Sequence, residues 1–311
     1  MFQGIVNIGG EVMHQIDLEM KFKKKIIGRF LILLGPYIPD KLYIRFKYRY
    51  EMGTWPNIDC PKTFNEKLNW LKLYNRKPEY TQMVDKYMAK EYVSSIVGNE
   101  IVIPTIGLWN SPQKIDWDKL PNRFVLKTTH GGGGTSVIIC RDKSSFDKEA
   151  ACEKLKLSMK ADIYAAFREW PYKNVTRRII AEENIDDGGD LYDYKFFCFN
   201  GKVRCYKVDF GRFTEHHANY YDINNNLLPF GEVNYPPVYS WKYIPPDNLG
   251  RMIQIAELLS KDIPFLRVDL YNIKGKIYFG EMTFFPAAGM GKLSPSIWDR
   301  VLGDWLDLKI R

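Results

Sequence analysis

The sequence predicts an α+β fold with largely antiparallel sheets. Helical patterns dominate the first third of the chain, and strand patterns with helices between them follow. Two later stretches, 191–210 and 265–285, each hold two β-like runs joined by a short turn, which is the pattern of an antiparallel hairpin. Helices first and hairpins afterwards are typical of the α+β class.

Helices are predicted for most of the N-terminal part. Residues 11–50 have a helical and basic pattern, and the breaker-rich stretch 53–61 ends it. Thr63 and Glu66 then have the spacing of a capping box, in which each side chain bonds to the backbone N–H of the other residue. The sequence therefore predicts a new helix at 63–75.

A further helix and a short strand are expected next. The helix covers about 81–97 and carries Asp85 and Lys86. The stretch 100–109 contains a strand that Pro104 is expected to end, because proline lacks the N–H that a ladder position requires.

Strand patterns dominate after residue 120. Asn200 and Gly201 are the clearest turn signal, because this pair tolerates the positive φ of a tight hairpin turn. The expected elements are β-like runs at 123–129 and 135–140, helices within 145–170, a strand at 177–185, the hairpin 191–210, a helix at 246–261 and the hairpin 265–285.

The 311 residues are enough for two or three subdomains with a sizeable core. The expected segments are a basic helical segment at 1–52, a helical unit at 53–120, a unit with a glycine run at 121–185, and a unit with the second hairpin at 186–311.

Composition favours a globular protein of the cytoplasm. Apolar residues make up 45% and charged residues 26% of the chain, which is ordinary for a soluble domain. The five cysteines are scattered and form no C-x-x-C pair, so we expect reduced thiols and neither a disulfide framework nor a zinc site. The N-terminal residues, which include Glu11 and Asp17, do not have the pattern of a secretory signal.

The N-terminal region is basic. Residues 1–50 contain nine Lys or Arg and four Asp or Glu, out of a net charge of +8 for the whole chain. This excess favours an anionic partner, and we expect no nucleic acid. The longest apolar-rich stretch, 26–35, is too short to span a bilayer and is interrupted by Arg29. With the basic residues 21–25 before it, it fits both a helix on an anionic membrane surface and a helix packed on the protein's own core.

Four consecutive glycines, 131–134, lie between two β-like runs. Rossmann and Walker loops lead from a strand into a helix, so this glycine run is expected to be a flexible flap between antiparallel strands. Glycine N–H groups can approach phosphate oxygens closely, and Lys127 in the preceding strand can place its charge on a phosphate. The alternative is an exposed hairpin tip beside a solvated lysine.

Two carboxylates occupy the apolar hairpin 265–285. If the turn is the three-residue loop 273–275, Asp269 faces Phe279, and Glu281 lies one diagonal step away on the same face. Thr283 follows on that face by the two-residue period of a strand.

Carboxylates among apolar strands are costly unless something positive neutralises them. Mg²⁺ held by Asp269, Glu281 and nucleotide phosphates would do so. Arg267, which faces Glu281 in this register, is the competing partner. We favour the metal, because one arginine leaves net negative charge on the face.

These motifs together resemble an ATP-grasp enzyme. More narrowly, they resemble the TupA-like ATP-grasp family, named for teichuronopeptide synthesis and found in bacterial surface-polysaccharide gene clusters. The resemblance covers roughly residues 53–310 and implies two α+β subdomains that clamp a nucleotide. The stretches that carry it are "PKTFNEKLNWLKLY" (61–74), "DKYMAKEYV" (85–93), "LPNRFVLKTTHGGGG" (120–134), "IIAEENI" (179–185), "DYKFFCFNGK" (193–202), "RVDLY" (267–271) and "GEMTFFP" (280–286).

By position, the resemblance implies roles for individual residues. Residues 182–185 resemble the hinge that meets the adenine through backbone hydrogen bonds. His130 joins them because it abuts the flap, where it either contacts phosphate or ends the strand. The nucleotide-binding residues are Lys86, Lys127, His130, Gly131, Gly132, Gly133, Gly134, Glu182, Glu183, Asn184, Ile185 and Asp193. The catalytic residues are Lys195, Arg267 and Lys127, and the Mg²⁺ ligands are Asp269, Glu281 and Thr283, where many ATP-grasp enzymes have Asn in place of Thr283.

The chemistry implied is carboxylate activation with ATP and Mg²⁺. The γ-phosphoryl group moves to a carboxylate, an amine attacks the acyl phosphate, and an amide forms with release of ADP and phosphate. The family's setting implies a uronic acid on a glycan or sugar nucleotide as the acceptor, and an amino acid or other amine as the donor. A location on the inner face of the membrane stays open beside a cytoplasmic one.

Three other interpretations remain. Asp116 and Asp118 have the Asp-x-Asp spacing of many glycosyltransferases, although they lie in a polar connector. A sugar kinase on the same fold and a non-catalytic scaffold are the others. His216 and His217 are expected to contact substrate, and the loop 286–291 is expected to be mobile and to gate the acceptor.

Overall fold

The computed structural model describes residues 33–132, 136–186, 188, 191–211 and 215–309. Its α-helices are α1 (Asp40–Met52), α2 (Phe64–Tyr74), α3 (Glu79–Val84), α4 (Met88–Val97), α5 (Lys148–Met159), α6 (Ile163–Phe167), α7 (Leu249–Leu259) and α8 (Ile297–Trp305). Short 3₁₀ helices cover Gly35–Tyr37, Asn99–Ile101, Pro112–Lys114, Lys143–Ser145, Trp170–Tyr172 and Pro286–Gly289. The predictions for residues 1–32, including most of the basic stretch 21–35, lie outside the described residues.

The described strands form two main antiparallel sheets. The strands are β1 (Thr105–Trp109), β2 (Phe124–Thr128), β3 (Val137–Cys140), β4 (Ile179–Glu183), β5 (Asp193–Phe199), β6 (Lys202–Phe210), β7 (His217–Asp222), β8 (Gly231–Glu232), β9 (Phe265–Ile273), β10 (Lys276–Thr283) and β11 (Leu293–Ser294). One sheet has four strands in the order β1-β4-β2-β3, the other has five in the order β10-β9-β5-β6-β7, and β8 pairs with β11. The predicted α+β class with antiparallel sheets is confirmed.

Helices α2, α3 and α4 pack on the five-stranded sheet. Helix α2 begins at the predicted capping box, since Glu66 N–H donates to Thr63 Oγ1 (3.3 Å) and Thr63 N–H donates to a Glu66 carboxylate oxygen (3.1 Å). Its first residue, Phe64, packs edge to face on Phe265 of β9, with ring centroids 4.9 Å apart. A large buried cluster joins these helices to the sheet, and a smaller cluster lies under β2 and β4.

The single helix expected at 81–97 is wrong, because it is broken at residues 85–87. The side chain of Asp85 accepts hydrogen bonds from the N–H groups of Tyr87 (2.9 Å) and Met88 (3.2 Å), which ends α3 and starts α4. At the break, Lys86 N–H donates to the carbonyl of Thr129 (2.9 Å), just after β2. The break therefore fixes Lys86 beside the connection between β2 and β3, which begins after Thr128 and which we call the glycine turn.

Strand β1 starts after Pro104, whereas the sequence predicted a strand that ends there. Proline has no N–H to donate, but its carbonyl can still accept. The carbonyl of Pro104 accepts from Glu183 N–H (3.2 Å), so Pro104 bonds to β4 just before β1 begins. Strand β1 pairs with β4 and so belongs to the sheet of the glycine turn, although it precedes the expected boundary at residue 121. The division into four segments stays a prediction.

The hairpin 191–210 turns at Asn200 and Gly201 as predicted, with φ of 50° and 78°. All five cysteines are free thiols, in agreement with the sequence, and Cys198 and Cys205 are buried in the core. No described helix has both the length and the apolar character that crossing a bilayer requires.

The register predicted for the hairpin 265–285 is wrong. The turn contains two residues, Lys274 and Gly275, with φ of 50° and 84°, and Gly280 forms a bulge in β10. A Cβ on Gly280 would lie 3.0 Å from the carbonyl oxygen of Asp269, so the bulge needs glycine. The two changes place Asp269 directly opposite Glu281 rather than opposite Phe279.

Candidate active site

The glycine turn joins two antiparallel strands, as predicted. Lys127 on β2 pairs with Val137 on β3. A Cβ on Gly131 would lie 2.2 Å from Ser136 Oγ and 2.4 Å from Thr128 Oγ1, so only glycine fits there. The predicted flap residues Gly133 and Gly134 lie outside the described residues.

Several buried polar atoms below this turn have no hydrogen-bond partner among the described residues. They are Thr128 Oγ1, Ser136 Oγ and both ring nitrogens of His130. Burial, together with the charge of Arg177, lowers the pKa of His130, so the ring is neutral at neutral pH. Buried polar atoms are costly when unpaired, which makes this turn suited to a polar ligand that would satisfy them.

Two lysines share one buried carboxylate beside the turn. Glu182 on β4 lies 2.5 Å from Lys127 Nζ and 2.7 Å from Lys90 Nζ. Burial raises the pKa of Glu182, but the two lysines lower it by more, so the carboxylate stays ionised. Sequence reasoning missed Lys90, although it lies within the quoted stretch 85–93.

The predicted hinge follows at the end of β4. Glu183 donates its N–H to Pro104, and the Asn184 side chain donates to the carbonyl of Cys140 (3.3 Å). Ile185 comes next and is partly buried. The contact of these residues with an adenine ring stays a prediction.

The paired carboxylates of the second sheet are held by Arg267. Its guanidinium donates twice to Asp269, with both distances 2.7 Å, and once each to Glu281 and Thr283, both at 3.1 Å. Burial lowers the pKa of Arg267, but the attraction of Asp269 outweighs burial and raises it above its ordinary value. The competing partner identified from the sequence therefore binds both carboxylates.

Two lysines add to this network. Lys195 on β5 donates to Asp269 (2.8 Å) and also contacts Asp193, while Lys86 donates to Glu281 (2.8 Å). Burial raises the pKa of Glu281, but Lys86 and Arg267 together hold it well below its usual range. Three cations, Arg267, Lys195 and Lys86, therefore bind the carboxylate pair, whereas the sequence suggested Arg267 alone.

Lys86 connects the two halves of the site. Its backbone lies against Thr129 after β2, and its side chain reaches Glu281 on β10. The glycine turn and the carboxylate pair therefore lie within the reach of one lysine residue.

Charged side chains continue across the five-stranded sheet from this pair. In register order, Glu281, Asp269, Lys195, Lys207 and Tyr220 lie opposite one another on successive strands. Residues directly opposite in a ladder share a face, so the row forms one polar band.

The band ends near His216. Asp209 accepts from His216 Nε2 (3.1 Å) and lies 3.4 Å from Lys195 Nζ, and Glu232 lies 2.8 Å from Lys207. Sequence reasoning named His216 without a partner and missed the other members of the band on β6 and β8. His217 lies apart, with Nδ1 2.9 Å from the Pro236 carbonyl.

Within the described residues, no three His, Cys, Asp or Glu side chains form a metal site by themselves. Asp269, Glu281 and Thr283 supply two carboxylates and a hydroxyl, so a cation there would need further oxygen ligands. Asp116 is partly exposed and pairs with Lys119 (3.0 Å) in the connector ahead of β2, outside this network.

The loop 286–291, expected to be mobile, is tied to helix α2. Asn65 and Asn69 lie four residues apart on one buried face of α2, and Lys72 follows at helical spacing. The three side chains donate to the carbonyls of Gly291 (2.8 Å), Gly289 (2.7 Å) and Ala288 (2.6 Å). Ala287 and Ala288 have φ of 48° and 54°, a left-handed conformation that is costly for alanine.

We expect Asn69→Ala to lower the free energy of unfolding by about 1–3 kcal/mol, because it leaves buried carbonyls unpaired. Urea denaturation would measure the change. Asn224→Ala, at an exposed asparagine, is the matched control and should stay within about 0.5 kcal/mol of the wild type. Equal effects at the two positions would contradict the anchoring role of Asn69.

A model of the TupA-like ATP-grasp family matches residues 66–307. Among solved structures, the chain is similar to D-alanine–D-alanine ligase from Bacillus anthracis complexed with ATP (15% identity, 65% of this chain and 54% of that chain, TM-score 0.38). It is also similar to L-amino acid ligase from Bacillus licheniformis (14% identity, 75% and 50%, TM-score 0.43). The chain thus spans about half of the length of either ligase.

No curated protein matches the sequence. The family match covers most of the chain, including α2, the glycine turn and both carboxylate strands. The resemblance drawn from the sequence motifs is thereby confirmed. The chain belongs to the TupA-like ATP-grasp family.

Proposed function

We propose that the protein is an ATP-dependent carboxylate–amine ligase that uses Mg²⁺. One observation carries the proposal. Lys86 contacts both Thr129, just after β2, and Glu281, so one lysine bridges the glycine turn and the acid pair. ATP-grasp family membership supports the same conclusion.

The residues present fit ATP. Gly131 has no room for a Cβ, and the unpaired atoms of Thr128, His130 and Ser136 lie below the turn, where phosphate oxygens or bridging groups would satisfy them. The phosphates would be held by Lys86, Lys127, His130, Gly131, Gly132, Gly133 and Gly134, with Asp193 near them. Toward the nucleoside would lie Glu182, Glu183, Asn184 and Ile185.

The residues present also fit Mg²⁺. The oxygens of Asp269, Glu281 and Thr283 are hard donors that would hold Mg²⁺, and nucleotide phosphates would supply further oxygen ligands. When bound, Mg²⁺ neutralises phosphate charge and orients the transferred group.

Lys127 is suited to move from a carboxylate to a phosphate. Lys127 and Lys90 both pair with Glu182. When Lys127 moves to a phosphate, Lys90 still neutralises Glu182. The cost of leaving a buried carboxylate unpaired is thereby avoided.

Lys195 is expected to act as a fixed cation rather than as a base. Burial lowers its pKa, but Asp193 and Asp269 outweigh burial and raise the pKa above the ordinary lysine value. Lys195 therefore stays protonated and helps to neutralise the charge on the transferred phosphoryl group, as Arg267 does on the other side of Asp269.

In this proposal the acceptor is a uronic acid carboxylate on a glycan or its nucleotide-linked precursor, and the donor is an amino acid or other amine. The product is an amide used in bacterial surface-polysaccharide synthesis. The family resemblance supports this substrate class. The protein is placed in the cytoplasm or on the inner face of the membrane.

Thermal stabilisation tests whether the protein binds ATP. Mg-ATP at about 100 times its Kd should stabilise the folded protein by about 2.7 kcal/mol, and Lys127→Ala should remove the effect. Stabilisation by a UDP-sugar with Mn²⁺, and not by Mg-ATP, would contradict the proposal and favour a glycosyltransferase that uses Asp116 and Asp118.

A further inference from the structure

One face of helix α1 is apolar and exposed. Leu42 and Phe46 lie four residues apart on this face and are 48% and 47% exposed. The ring of Phe46 packs edge to face on Trp55, which is 54% exposed, with centroids 5.6 Å apart. On the opposite face, Tyr43 and Ile44 are fully buried, so the helix is firmly packed and the exposure is confined to one side.

Arginines line the same face. Arg45 and Arg49 lie three and seven residues after Leu42, which places them beside Leu42 and Phe46 on the helix surface. Neither arginine forms an ion pair with a described carboxylate, whereas Lys41 on the same helix pairs with Asp59. We call Leu42, Arg45, Phe46, Arg49 and Trp55 the α1 surface.

Charge decides what can cover the α1 surface. A second copy of the chain would bring its own arginines against Arg45 and Arg49. The part of the chain just before the described residues, 21–32, contains five Lys or Arg and no Asp or Glu. A second copy and this basic stretch would each place like charges together at low dielectric, which is unfavourable. A surface of anionic lipid headgroups complements the arginines and accepts the apolar side chains.

We propose that the α1 surface docks the protein on an anionic lipid bilayer. Leu42, Phe46 and Trp55 enter the boundary between headgroups and acyl chains, as tryptophan and leucine do in interfacial helices, and Arg45 and Arg49 bind lipid phosphates. The helix lies in the plane of the membrane. This proposal does not depend on the ligase chemistry.

Vesicle co-sedimentation of the full chain tests the proposal. The probes are vesicles of phosphatidylcholine alone and vesicles that also contain phosphatidylglycerol. We expect binding only to the anionic vesicles and weaker binding at raised salt. Arg45→Gln with Arg49→Gln should weaken binding about tenfold or more, and Phe46→Ser with Trp55→Ser should do so as well.

The matched control changes exposed apolar residues elsewhere. Leu157→Ser with Ile244→Ser, at positions 69% and 86% exposed, should leave vesicle binding unchanged. Circular dichroism should show that all three variants stay folded. Wild-type affinity in both α1 variants would overturn the proposal, because binding would then come from another region. Loss of a dimer in the α1 variants, without vesicle binding by the wild type, would overturn it in favour of a second copy.

Discussion

Asp269→Asn is expected to destabilise the protein and abolish its ATP turnover. The carboxylate is buried and accepts from Arg267 twice and from Lys195 once. An amide keeps one acceptor and turns an NH₂ group toward two cations, so buried charge is left uncompensated. We expect the free energy of unfolding to fall by about 3–5 kcal/mol, measured by urea denaturation.

A double variant separates buried charge from lost packing. Arg267→Met removes the guanidinium, so Asp269→Asn should cost much less in the Arg267→Met background than in the wild type. Additive costs of the two substitutions would show that Asp269 and Arg267 do not depend on each other, contrary to the contacts.

Glu281→Gln is expected to abolish turnover while the fold is kept. Glu281 lies directly opposite Asp269 but is partly exposed. Lys86 and Arg267 bind different oxygens of its carboxylate, so the one amide oxygen can keep only one of them, and water can reach the other cation. The free energy of unfolding should fall by about 1–3 kcal/mol, less than for Asp269→Asn. Turnover should fall by a factor on the order of 10² to 10³, because a metal ligand is lost at the transferred phosphoryl group.

Release of ADP from ATP measures this effect, and the Mg²⁺ concentration dependence is its internal control. A ligand variant should need more Mg²⁺ for half-maximal rate. Full turnover by folded Glu281→Gln protein at ordinary Mg²⁺ would refute the proposed role of Glu281.

Local signals predicted much of the fold. The capping box of Thr63 and Glu66 and the Asn200-Gly201 turn act over a few residues, so the sequence shows them directly. The glycine run was correctly placed between antiparallel strands, because the β-branched residues after it disfavour a helix.

The failures came from features that depend on distant partners. Gly280 became a bulge because its backbone lies close to Asp269 on the neighbouring strand, which no local pattern shows. The helix break after Val84 depends on the Asp85 side chain, which accepts from the N–H of Tyr87. The same carboxylate pairs with Arg178 (2.9 Å), the residue just before β4. The sequence shows Asp85 only as an aspartate within an apolar helical pattern, which predicts neither its contact with Tyr87 nor its contact with Arg178.

The sequence predicted which residues belong to the candidate site better than it predicted the contacts among them. Asp269, Glu281, Arg267 and Lys195 were named from motifs, and the structure brings these four into one network. Lys90 was missed because its importance arises only when Glu182 is placed against it by sheet pairing. The residues of α2 that hold the loop 286–291 were quoted as part of a motif, but their partners lie more than 200 positions along the chain.

Hydroxylamine trapping tests the central claim most directly. The protein is incubated with Mg-ATP and candidate uronic acids or uronic acid-bearing sugar nucleotides, without an amine, and hydroxylamine then captures any acyl phosphate as a hydroxamate. We expect a hydroxamate that forms only with ATP and a carboxylate substrate, is accompanied by ADP and phosphate, and is absent with Glu281→Gln. A stable sugar phosphate with no hydroxamate, formed at the expense of ATP, would contradict ligase chemistry and show that this site is a sugar kinase.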